Sequence, residues 1–218
     1  MGSDRADPCA APHPMEFEPL PRSFYARPVL AVARAALGQW LVHRTREGTV
    51  AGRIVETEAY RGPEDRAAHS YGGRRTARTA SMFGPPGHAY VFFVYGMHHH
   101  FNLVTGAEGE PHAVLVRAVE PLLGLELMAK RRGVPADRAS LTNGPGKVCQ
   151  AFAIDRAHDG RDLCQGDLFL AAGARWPAER SARIGVEYAG AWAKRPWRFF
   201  ARANRYVSRP HGGTLRRS

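Results

Sequence analysis

The sequence predicts an α+β fold: a single compact domain with a curved, largely antiparallel sheet, peripheral helices and a protruding β-hairpin. Three observations predict it. Short runs of β-branched and aromatic residues recur along the chain and outnumber the helical segments. The helices are interspersed without the regular strand–helix–strand rhythm of a parallel sheet. The 218 residues hold no internal repeat and no linker between the two ends, so one domain accounts for the length.

Taken in order, residues 1–20 (MGSDRADPCAAPHPMEFEPL) are rich in Pro, Ala and acid and read as a flexible tail. The domain proper spans 21–207. A helix is expected over Pro28–Leu41, where Val29, Leu30, Val32, Ala33, Ala36 and Leu37 recur at near-helical spacing and Gly38 lies near the end. Strands are expected over Trp40–His43, Val50–Tyr60, Ala89–Tyr95, Phe101–Val104 and Ala113–Val119. Gly96-Met97 supplies a turn after Ala89–Tyr95, which puts Tyr95 at the tip of the hairpin. Helices follow over Leu122–Arg132, ending at Gly133, and over Pro145–Ala153. Leu168–Ala171, Arg183–Tyr188 and Trp197–Ala201 read as late strands. Residues 208–218, with Pro210, Gly212, Gly213, Arg216 and Arg217, read as a basic, mobile end.

The charge balance narrows the partners. Lys and Arg total 31 against 20 Asp and Glu, a net +11, which favours a polyanion. No window approaches the ~20 consecutive apolar residues of a membrane span. The N-terminal residues have neither the basic start nor the apolar core of a signal peptide. Cys9, Cys149 and Cys164 form no CxxC pair, so neither a zinc ribbon nor a disulfide framework is expected. An intracellular setting follows as the default, in the cytoplasm or nucleoid if the source is bacterial.

The most chemically loaded segment is RIVETEAYRGPEDRAAHS, residues 53–70. It begins as a strand and is stopped by Gly62-Pro63. Side chains alternate along a strand, so Glu56, Glu58 and Tyr60 share one face, with the carboxylates roughly 7 Å apart. His69 follows an acidic turn. A carboxylate flanked by Tyr and His suits general-base chemistry on something flat; the plainer alternative is an edge strand whose acids face water. An acid pair at this separation would also fit inverting glycoside hydrolysis. Arg117 sits in VLVRAVE, an otherwise apolar strand, and a charge there must be paired.

The wording ETEAYxGPEDxAAHS resembles the signature of the alkyladenine (3-methylpurine) DNA glycosylase family. The resemblance extends to YVFFVYGM (Tyr90–Met97), VLVRAVEPLLGLE (Val114–Glu126), NGPGKVCQAFAI (Asn143–Ile154) and ARIGVEYAGAWAKRPWRFF (Ala182–Phe200). The blocks come in the family's order with similar spacing and cover about Phe24 to Ser208. The resemblance implies a single mixed α+β domain. It implies hydrolysis of the N-glycosidic bond of alkylated or deaminated purines in duplex DNA: 3-methyladenine, 7-methylguanine, hypoxanthine and ethenoadenine types. The product is an abasic site. It implies double-stranded DNA as partner, a monomer, no obligate protein partner, no cofactor, no metal and no covalent lysine intermediate.

Residue by residue, the resemblance makes Glu58 the catalytic carboxylate, with Glu56 the rival in the same motif. Arg117 and the main-chain carbonyl of Val186 would hold the attacking water beside Glu58. Tyr60 and His69 would form the two sides of the slot for a flipped base. Phe92 stands where relatives often carry Tyr, and Asn102 matches a pocket asparagine that can discriminate against guanine's exocyclic amine. Tyr95 matches the tyrosine that intercalates into DNA. His98, His99 and His100 depart from the family, which carries aromatic or apolar residues there. By strand alternation His98 and His100 share one face, so that one face of this strand contacts DNA and the other packs. A metal site with His88 or His69 lacks supporting carboxylates or HExxH spacing. Asn143–Lys147 lacks the spacing of a phosphate loop and reads as a helix start that could touch a phosphate. Gly72–Arg78 and Lys194–Arg202 are candidate DNA-backbone contacts. The rival readings are a His-rich, metal-dependent nuclease and a non-enzymatic nucleic-acid-binding module.

Overall fold

One long strand organises the molecule. The computed structural model describes residues 16–94 and 96–208. Within them, β1 (Trp40–Thr45), β2 (Gly48–Arg61), β3 (Ala89–Val94), β4 (His98–Thr105), β5 (His112–Leu123), β6 (Leu168–Ala171), β7 (Ala178–Ser181) and β8 (Arg198–Ala201) join one sheet. The order β3-β4-β5-β2-β1-β6 is antiparallel throughout, with β8 pairing both β2 and β7. The 14-residue β2 pairs β5 along one edge. On its other edge β1 covers Gly48–Arg53 and β8 covers Glu56–Glu58.

The two faces of the sheet carry different cargo. One face is covered by α2 (Val29–Ala35), α3 (Leu125–Arg132) and α4 (Pro145–Ala151), which bury Val32, Met128, Val148 and Cys149 against Ile54, Ala59, Val116 and Val119. The short α1 (Arg22–Tyr25) adds Tyr25 to this core. The opposite face holds smaller apolar clusters, around Tyr90 and Phe92, around Val55 and Ala118, and around Ala67 and Val186. Between these clusters lie the buried acids.

A pair of bulges aims the side chains that face the acids. Ile54 pairs Val119, Glu56 pairs Ala118, and Thr57 pairs Val116. Val55 is therefore an extra residue in β2 and Arg117 an extra residue in β5, and the two offsets cancel. At each bulge two successive side chains fall on the acid-bearing face: Val55 with Glu56, and Arg117 with Ala118. Bulges commonly re-aim side chains beside active sites.

Most elements lie where the sequence predicts them, with four differences. The first long helix stops at Ala35, ahead of Gly38, whose φ is +80°. The helix expected from Leu122 starts at Leu125, because Pro121–Leu123 still belong to β5. Strand β7 carries the sequence AERS at the sheet edge and has no apolar alternation to announce it. Arg183–Tyr188 is not a strand. Arg183 is buried in an ion pair, Gly185 takes a φ of +75°, and a 3-10 segment begins at Glu187. At the ends of the described chain, Phe17 is buried against Trp40 and Ser208 is buried beside Glu56. Ordered packing thus reaches past 21–207 on both sides.

Candidate active site

Glu58 is fully buried on β2 and accepts three hydrogen bonds. Tyr60 Oη donates to Oε2 at 2.9 Å, Arg117 Nη1 donates to Oε2 at 3.2 Å, and the Ile184 backbone N–H donates to Oε1 at 2.8 Å. All three partners are donors, the complement of an ionised carboxylate, which only accepts. A carboxylate has roughly four lone-pair sites, so one direction is left over. Burial first, and then Glu58, pushes the Tyr60 hydroxyl well above the ordinary tyrosine pKa, so it remains a donor.

Glu56 sits one alternation earlier and is also fully buried. It accepts Arg117 Nε at 3.1 Å, Arg198 Nε at 2.6 Å, Ser208 Oγ at 2.8 Å and the Ser208 backbone N–H at 2.6 Å. Three of these bonds fall on Oε1, and Oε2 takes only the Ser208 N–H. Arg117 thus bridges both carboxylates. Burial pulls the Arg117 pKa down, but Glu58 and Glu56 together outweigh it and hold the guanidinium charged. The ion pair expected for a charge inside an apolar strand is present, with two partners.

A second buried pair fixes the wall that meets Glu58. Asp65 and Arg183 are both fully buried and paired in bidentate fashion. Arg183 also donates to the Ala59 carbonyl at 2.9 Å, and its guanidinium lies 4.7 Å from the Tyr60 ring centroid. This ties GPED to ARIGV and presents the Ile184 N–H to Glu58. Sequence reasoning missed Asp65 and Arg183 as a pair. It also missed Ser208, read as part of the basic end, and Arg198, read as a DNA contact. The available signals were an acid inside the motif and an arginine inside an apolar strand.

These elements border a cavity of about 1080 Å³. Tyr60, His69, Phe92, Asn102, Arg117 and Val186 all line it, while Glu58 lies one hydrogen bond behind its wall, screened by Tyr60, Arg117 and Ile184. The β3–β4 hairpin builds the aromatic side. Tyr90 pairs Asn102, Phe92 pairs His100 and Val94 pairs His98 on the cavity face. His69 meets Phe92 edge-on at 4.5 Å and hydrogen-bonds Tyr90 Oη through Nδ1 at 2.8 Å. Burial, with Arg78 second, lowers the His69 pKa to about 4, so the ring is neutral at pH 7. Asn102 donates to the Tyr90 carbonyl at 3.0 Å. The Val186 carbonyl accepts from the Ala189 N–H at 2.9 Å, which leaves one lone pair.

His98 and His100 share the cavity face, as strand alternation predicts, and His99 packs on Phe93 at 4.9 Å on the other. Among the described residues no group of three or more His, Cys, Asp or Glu is gathered to hold a metal. Arg74, Arg75 and Arg78 are exposed, and Arg78 lies 5.1 Å over Phe92 at the cavity. Lys147 donates to Asn143 Oδ1 at 2.8 Å at the start of α4, also at the cavity. Gly96, with φ +68°, makes the hairpin turn; Tyr95, the expected intercalating residue, lies outside the described residues. No described helix is long and apolar enough to cross a membrane.

Known proteins are similar to this chain over most of its length. The sequence model of the family described as methylpurine-DNA glycosylase matches residues 23–205. A protein of Desulfitobacterium hafniense is 49% identical over 198 residues, covering 87% of this chain and 98% of its own. One from Anaeromyxobacter dehalogenans is 51% identical over 198 residues, covering 89% and 87%. One from Methanocella arvoryzae is 48% identical over 201 residues, covering 90% and 98%. All three bear the name "Putative 3-methyladenine DNA glycosylase". On a match of this length and identity, the chain belongs to the methylpurine-DNA glycosylase family.

Proposed function

We propose that this chain removes 3-methyladenine and related damaged purines from duplex DNA by flipping the base and attacking the sugar with water activated by Glu58. Family membership makes it a monofunctional DNA glycosylase, a hydrolase of the N-glycosyl bond in base excision repair. The observation that carries the mechanism is the surroundings of Glu58. Three fixed donors hold it beside a cavity large enough for a purine, with one acceptor direction unused.

A glycosidic bond to a purine breaks through a cationic, oxocarbenium-like sugar. Glu58 would take a proton from the attacking water and place negative charge near that cation. Arg117 and the Val186 carbonyl would fix the water, the first as donor and the second as acceptor. Tyr60 and His69 would face the two sides of the base, with Phe92 and Asn102 completing the pocket. Tyr95 would fill the space that the base vacates. The exposed cations Arg74, Arg75 and Arg78 and the net +11 suit binding to phosphates. The working form would be a monomer that needs no metal or cofactor.

The test is base release from duplexes that each carry one defined lesion: 3-methyladenine, 7-methylguanine, hypoxanthine or ethenoadenine. Free base should appear from the methylated duplexes, leaving strands that break only on later heating in alkali. Direct strand cleavage, or a borohydride-trapped covalent adduct, would overturn the water mechanism. Activity on methylpurines alone would narrow the substrate range to that class.

A further inference from the structure

We propose that His100 is a specificity-determining residue whose imidazole hydrogen-bonds the polar edge of the base held in the cavity. This rests on the base-excision reading above and deepens it. His100 stands opposite Phe92 in the β3–β4 register, with the two rings 5.4 Å apart, and it lines the cavity within electrostatic reach of Arg117. It is thus set among the pocket residues and not on the outer surface of the hairpin.

The second observation is what its ring lacks. Three other histidines have protein partners, His43 in the Phe152 carbonyl at 2.6 Å, His69 in Tyr90 at 2.8 Å and His158 in Asp155 at 2.9 Å, whereas His98, beside His100 on the cavity face, has none among the described residues. His100 has no side-chain hydrogen bond to any described residue. It lines the cavity, where a bound base could supply the missing partner. A largely buried polar group without a protein partner carries a cost unless water or a ligand satisfies it.

The third is the charge environment. Burial, then Arg117, His98, His69 and Arg78, lower the His100 pKa to about 3. The ring is therefore neutral at working pH. A neutral imidazole offers one N–H donor and one acceptor nitrogen, and either tautomer is accessible. It can donate to a 6-oxo purine or accept from a 6-amino purine. A neutral ring so far below its ordinary pKa is unsuited to protonating the leaving base, so its part is recognition.

Equilibrium binding tests this with duplexes whose lesion sugar carries a 2′-fluorine, which blocks cleavage. One duplex carries hypoxanthine and the other unsubstituted purine, which lacks the 6-oxygen. The wild-type protein should prefer hypoxanthine. His100→Phe, which keeps a ring and removes both nitrogens, should reduce that preference roughly 3- to 10-fold, the worth of one neutral hydrogen bond. His100→Gln, which can still hydrogen-bond, should retain part of it. An unchanged preference, or an equal loss on both duplexes, would overturn the assignment and make His100 a packing residue. Wild-type base release from methylated DNA is measured in parallel. Its failure would overturn the underlying base-excision reading, whereas success there with an unchanged preference would overturn only the role of His100.

Discussion

Glu56 and Glu58 are two carboxylates on one strand, on one face, both fully buried and both bonded to Arg117. Their surroundings differ in one respect. Glu56 takes four donors, two of them from Ser208 and one from Arg198, with three crowded on Oε1, and Arg198 is not among the cavity-lining residues. Glu58 takes three, and its neighbours Tyr60, Arg117 and Ile184 line the cavity. Glu56 is a joint that ties Arg117 to Arg198 and to Ser208. Glu58 has all three of its donors on residues of the cavity wall and keeps one acceptor direction on Oε1. Burial and charge do not separate the two acids; the donors around them and the relation of those donors to the cavity do.

The largest expected effect comes from removing the charge at each position in turn. Glu58→Gln should lower the single-turnover rate of base release by at least the ~10²–10⁴ of a lost general base. Binding to lesion DNA should persist. Glu56→Gln should act mainly on stability, because Arg117 and Arg198 would each lose a buried anionic partner. Breaking a buried pair costs on the order of 3–5 kcal/mol, roughly 10 °C in Tm for a domain of this size. Rates and melting curves of both variants decide the matter. Should Glu56→Gln abolish turnover at unchanged Tm while Glu58→Gln stays active, the two roles are reversed.

Part of this contrast is legible in the sequence. Alternation along ETEAY places Glu56, Glu58 and Tyr60 on one face, and the structure keeps them there. Arg117 inside VLVRAVE demands an acid partner, and two are present. Which carboxylate has all its donors on the cavity wall is not legible. That depends on Ser208 and Arg198, which are 152 and 142 residues away from Glu56 in sequence. Nor do the bulges at Val55 and Arg117 have a local signature, since both are products of pairing register between two strands. Arg183–Tyr188 has the composition of a strand. There a buried guanidinium bonded to Asp65 and a glycine at φ +75° override propensity. Such errors fall where tertiary ion pairs, not local preference, set the backbone.

A smaller change sharpens the comparison from the other side. Tyr60→Phe deletes one of the three donors to Glu58 and keeps the ring. The Tyr60 ring lies 4.7 Å from the Arg183 guanidinium carbon, and Phe preserves that contact and the wall of the cavity. If donor count tunes the reactivity of Glu58, loss of this hydroxyl weakens the hold on the carboxylate without emptying the site. The oxygen released on Glu58 faces Arg117, which already donates to it at 3.2 Å, so no unpaired charge is created. The expected cost is that of one hydrogen bond to a charged acceptor, about 1.5–3 kcal/mol at most, shared between orientation and stability. Base release should therefore slow by roughly 10-fold, with affinity for lesion DNA nearly unchanged because the stacking surface remains. An equal loss of affinity would instead show that the hydroxyl serves the pocket and not the carboxylate. A rate indistinguishable from wild type would mean that Arg117 and the Ile184 N–H suffice to hold Glu58, and the difference between the two acids would then rest on access to the cavity alone.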